Sequence, residues 1–78
     1  MFEDKLNLAL ERANALSEHA PYGGMASVGI YWDPYKVGWV AFADWSNCVK
    51  LKSDPEKDPF NAMAGLMQRF RDEKEAIS

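Results

Sequence analysis

Between Ala26 and Leu51 the side chains alternate in character so regularly that the segment reads as a succession of short β-strands. Val28, Ile30 and Trp32 alternate with Ser27, Gly29, Tyr31 and Asp33. Val37, Trp39, Ala41 and Ala43 alternate with Gly38, Val40, Phe42 and Asp44, and Val49 and Leu51 interleave with Cys48, Lys50 and Lys52. Successive side chains of an extended chain point to opposite faces, so each segment has one apolar face to bury.

The turns set how these strands meet. Asp33-Pro34-Tyr35-Lys36 has the Asp and Pro of a type I turn, and Pro34 cannot take the positive φ of a two-residue primed hairpin. A four-residue loop there sets Trp32 opposite Val37, Ile30 opposite Trp39 and Val28 opposite Ala41. The second turn has two readings. A loop over Asp44 to Asn47 puts Val49 and Leu51 on the face of Val40 and Phe42. A three-residue loop, Trp45-Ser46-Asn47, puts them beside Ala43 and Ala41 and gives Asn47 the left-handed position that Asn tolerates. Turn chemistry and hydrophobic pattern agree on the second.

The expected sheet then has an apolar face of Val28, Ile30, Trp32, Val37, Trp39, Ala41, Ala43, Val49 and Leu51. Its other face carries Ser27, Gly29, Tyr31, Gly38, Val40, Phe42, Cys48, Lys50 and Lys52. Two amphipathic segments flank it. Phe2, Leu6, Ala9, Leu10, Ala13 and Leu16 fall at helical spacing, with Glu3 and Asp4 suited to a helix N-terminus and Pro21 and Gly23-Gly24 ending the run. Asp58 is a good N-cap before Pro59, and Phe60, Met63, Met67 and Phe70 form the second stripe, with Leu66 alongside. Gly65 beside Ala62 and Ala64 narrows this helix and points to close packing.

The predicted architecture is an α+β domain of order α-β-β-β-α over residues 1–78, a three-stranded antiparallel meander with both helices packed on one face. Helices are expected over about 3–18 and 59–75, and strands over about 26–32, 37–44 and 48–52. At 78 residues the chain buries little more than about 60% of its unfolded surface, which favours one thin two-layer unit.

This element order resembles the double-stranded-RNA-binding domain over most of the chain. That family holds phosphates with a basic cluster at the start of its last helix. The matching stretch here is Ser53-Asp54-Pro55-Glu56-Lys57-Asp58-Pro59-Phe60-Asn61, in which only Lys57 is basic. The resemblance therefore implies a topology and none of the family's binding residues, and fold analogy alone carries no function. The net charge of −3 also gives no general attraction to phosphate backbones, so nucleic acid is disfavoured as a partner, and a nucleic-acid-binding module of this topology is the alternative reading.

Catalytic and metal signatures are absent from the sequence. His19 and Cys48 are the single histidine and cysteine, and no third residue stands out to orient them as a nucleophile and base. One His and one Cys do not furnish a zinc site, the Asp54/Glu56/Asp58 carboxylates lack calcium-loop spacing, and Gly23-Gly24 lacks the Lys of a phosphate loop. The reading is a non-enzyme with no catalytic residue, metal or cofactor. A lone cysteine, no apolar run of membrane length and a polar-interrupted N-terminal pattern give a cytoplasmic expectation without membrane contact.

Binding is the remaining function. Aromatic residues rimmed by Lys on an uncovered sheet face are typical interface anchors. The expected contact residues are Tyr31, Val40 and Phe42, with Trp45 at a hairpin tip and Tyr35, Lys50 and Lys52 at the rim. The partner expected is a protein or nucleoprotein complex. The first strand's edge, free of charge from Ala26 to Tyr31, offers a second route by homodimerisation. In size, acidity and lack of catalytic groups the chain resembles compact accessory proteins of phages and mobile elements, including inhibitors of bacterial defence such as anti-CRISPR proteins. That class resemblance implies inhibition by occluding a partner's surface.

Overall fold

A computed structural model describes residues 1–77, leaving the last residue of the expected domain outside. Its elements are α1 (Phe2–Leu16), β1 (Ala26–Asp33), β2 (Gly38–Trp45), β3 (Lys50–Lys52) and α2 (Pro59–Ile77), in the expected α-β-β-β-α order. The strands form one antiparallel sheet in the order β1-β2-β3.

Both hairpins differ from expectation by the same step. Trp32 faces Trp39, Ile30 faces Ala41 and Val28 faces Ala43, so β2 is displaced by two residues along β1. Leu51 faces Ala43 in place of Ala41, again a shift of two. A shift of two leaves every side chain on its assigned face, whereas a shift of one would have exchanged the faces. The first loop is Pro34 to Val37, with the Asp33 carboxylate accepting from the N–H groups of Tyr35 and Lys36 at 3.0 and 3.2 Å. Val37 takes φ 52° and is 68% exposed, so it leaves the apolar face. In the second turn Cys48, at φ 74°, takes the left-handed position expected of Asn47.

These shifts extend β2 to Trp45 and move that ring from the turn into the core. Trp45 is buried with its indole N–H donating to the Ala13 carbonyl at 3.2 Å and to Ser17 Oγ at 3.0 Å. Its ring lies 4.8 Å from Tyr22 and 6.5 Å from Phe70. The expectation that Trp45 is a contact residue is therefore corrected. A large ring with one donor gains more from a buried slot holding two acceptors than from a hairpin tip.

Both helices cover the same sheet face. Ala9, Ala13 and Leu16 of α1 and Ala62, Met63, Leu66 and Phe70 of α2 close over Ala41, Ala43 and Trp45. The helices start at the same end, where Phe2 meets Phe60 edge-on at 5.1 Å. Phe60, expected in the buried stripe, is 48% exposed there. The Asp58 carboxylate caps α2 by accepting from the Phe60 N–H at 2.6 Å. A Cβ on Gly65 would lie 3.2 Å from Ser53 Cβ, so α2 packs tightly on the chain leaving β3. Ser53 itself is buried and extends the ladder: its N–H donates to the Ala41 carbonyl and its Oγ accepts from the Ala41 N–H.

Candidate functional site

The sheet face away from the helices holds the aromatic cluster. Gly29 lies directly opposite Phe42, and a Cβ there would stand 2.7 Å from the Phe42 ring. The missing side chain lets the ring lie flat across β1. Tyr31, one step along the same face, places its ring 6.0 Å from Phe42 at 49°. Lys52 faces Phe42 from β3 and carries its Nζ to 5.9 Å from the Tyr31 ring centre, within cation–π range.

These groups surround a shallow depression of about 260 Å³ lined by Tyr31, Phe42, Ala43, Asp44, Lys50 and Lys52. Lys50 and Lys52 are exposed, Tyr31 is 37% exposed and Phe42 is half-buried. Asp44 faces Lys50 across the strands, yet its Oδ1 is buried without a hydrogen-bond partner among the described residues. The floor is aromatic, two cations stand on the β3 side, and one carboxylate oxygen is under-coordinated.

Four of the expected contact residues, Tyr31, Phe42, Lys50 and Lys52, thus line one depression. Val40 shares their face but is 3% exposed. The chain after β3 continues along β2, with paired bonds between Trp39 and Glu56 at 2.6 and 2.9 Å. It brings Pro55 over Gly38, where a Cβ would lie 2.9 Å from Pro55 Cβ, and this closes the Val40 end of the face. Tyr35, 95% exposed in the first loop, lies outside the depression, and Trp45 is on the opposite face. Asp44 and Gly29 are the residues that sequence reasoning left out of the site. The alternation that selects Phe42 places Asp44 on the same face, and pairing of Gly29 with an aromatic residue was the signal for the ring's position.

Among the described residues no cluster of three or more His, Cys, Asp or Glu side chains is arranged to hold a metal ion. His19 and Cys48 are both exposed, and neither lines the depression. No described helix is long and apolar enough to cross a membrane. No protein-family model matches the chain, and neither a curated protein nor a solved structure shows significant similarity to it.

Proposed function

We propose that this chain is a non-enzymatic interaction module that docks a protein partner on the open sheet face. The observation that carries this reading is the Tyr31–Phe42 pair, left without a helix over it and flanked by Lys50 and Lys52. Aromatic side chains beside exposed cations make an anchor for an apolar partner side chain next to a carboxylate. A module of this kind acts by covering the surface it binds. The proposed setting, inhibition of a host defence complex by a mobile-element protein, rests on size and acidity; the face itself argues for docking.

The test is an affinity capture from nuclease-treated lysate, comparing the native chain with Tyr31→Ala/Phe42→Ala. The double variant is expected to lose a stoichiometric protein partner while remaining folded. Its stability falls by only about 0.2–1 kcal/mol for each cross-strand contact removed. A captured protein that the folded double variant retains places the docking surface elsewhere and overturns this reading.

A further inference from the structure

We propose that the β1 edge pairs with the β1 edge of a second copy of this chain about a two-fold axis, and that Tyr31 of the second copy completes the aromatic platform. The platform half of this inference rests on the docking role proposed above; the dimer does not.

The direction of the backbone groups follows from the ladder. Trp39, Ala41 and Trp45 of β2 make their bonds on the β3 side, to Glu56, Ser53 and Val49. Groups alternate along an antiparallel strand, so Gly38, Val40, Phe42 and Asp44 bond to β1, at Asp33, Tyr31, Gly29 and Ser27. Val28, Ile30 and Trp32 therefore turn their N–H and C=O groups outward, and among the described residues no strand pairs with β1 on that side. The opposite edge is different. There β3 is only three residues long, carries Lys50 and Lys52, and is continued by the Ser53–Glu56 segment along β2. Self-pairing at β3 would oppose like charges; Ala26 to Trp32 carries no charged side chain.

Self-complementarity selects a second copy as the occupant. With Ile30 on the axis, Val28 faces Trp32 of the second copy in both directions, and all three residues present outward groups, as an antiparallel bonded pair requires. On the helix side, this register brings Trp32, which is 45% exposed, against the half-buried Val28 of the other chain. On the open face, Tyr31 of the second copy stands opposite Gly29. That position has no side chain of its own and is covered by the Phe42 ring, so the incoming Tyr31 ring would meet Phe42 at the strand edge. The row across the joined sheets becomes Lys52, Phe42, Gly29, then Tyr31 and Val40 of the second copy. The platform of each copy thus gains a ring from the other, and four aromatic rings form one band with a lysine at each end. The uncharged edge permits self-pairing, and exposed Trp32 against Val28 together with Tyr31 beside the Phe42 ring favour this register.

The measurement is sedimentation equilibrium over a wide concentration range, combined with amide hydrogen exchange on the unaltered chain. A reversible dimer is expected, in which the amides of Val28, Ile30 and Trp32 are protected like those of Gly29 and Tyr31 and lose protection on dilution. Ile30→Pro, which removes an outward donor and leaves the β2 ladder intact, is expected to give a monomer with its sheet preserved. Should that variant fail to fold, the exchange pattern of the native chain decides. A monomer at every concentration overturns the dimer, as does a dimer whose three outward amides exchange freely. Partner capture by the folded Ile30→Pro monomer tests the platform: weaker docking than the native chain is expected, and docking of equal strength overturns the part given to Tyr31 of the second copy while leaving the docking reading standing.

Discussion

Tyr22 joins three parts of the chain through one side chain. It follows α1 in the connection to β1, packs its ring on Trp45 and donates its hydroxyl proton to the Glu73 carboxylate on α2. Burial, the hydrogen bond to Glu73 and the Glu73 charge push its pKa up from 10.0 to about 12. In the unfolded chain the phenol ionises near 10.0, whereas in the folded chain it holds its proton to about 12. The contribution is therefore fully present below the unfolded value and lost as pH rises through the folded one. Denaturant midpoints measured across pH 10 to 12 are expected to fall more steeply for the native chain than for Tyr22→Phe. At neutral pH that variant is expected to be about 1 kcal/mol less stable, the loss of one hydrogen bond. Parallel curves for the two proteins would show that the phenol is not a proton-linked contact.

At the scale of elements, the first hairpin carries the clearest strain. Val37 is β-branched and sits at φ 52°, where its side chain crowds the following carbonyl. It is 68% exposed, so little burial compensates locally. Val37→Asn is expected to raise stability by about 1 kcal/mol, because Asn enters the left-handed region at lower cost. Thermal unfolding checks this, and a lowered midpoint would mean that Val37 makes a packing contribution its exposure does not show. The same residue explains what the sequence could and could not convey. Period-two alternation assigns faces, and the faces of Val28, Ile30, Trp39, Ala41, Ala43 and Leu51 follow from it directly. Register depends on which residue accepts positive φ, and local chemistry selects Asn47 there while excluding a valine. In the folded chain Val37 and Cys48 take those positions, since this carries β2 on to Trp45 and buries that ring between the helices. Tertiary packing thus overrides turn preference, by two residues in each hairpin. The same override moves Trp45 out of the expected site and leaves Tyr31, Phe42, Lys50 and Lys52 in it.

The whole molecule divides into a helical side that forms the core and an open sheet side that does not. The likeness to a double-stranded-RNA-binding domain rests on element order alone, so duplex binding must be judged on where charge lies. In that mode phosphates approach the N-terminus of the last helix, which favours anions through its free N–H groups. Here the Asp58 carboxylate already occupies the Phe60 N–H at 2.6 Å, and Asp54, Glu56 and Asp58 surround the single Lys57. The two lysines of the candidate site stand on the opposite side of the sheet from α2, so they cannot act together with that helix end on one backbone. Counterion release from a few scattered cations gives little affinity even at low salt, and the net charge of −3 opposes it. Titration of duplex RNA into the chain at low ionic strength is expected to show no binding. Tight binding that weakens steeply with added salt would reverse the order of the two readings and assign phosphates to the surface. Absence of binding, together with capture of a protein partner that depends on Tyr31 and Phe42, would leave the helix side as a solvated exterior and the sheet face as the part of the molecule that acts.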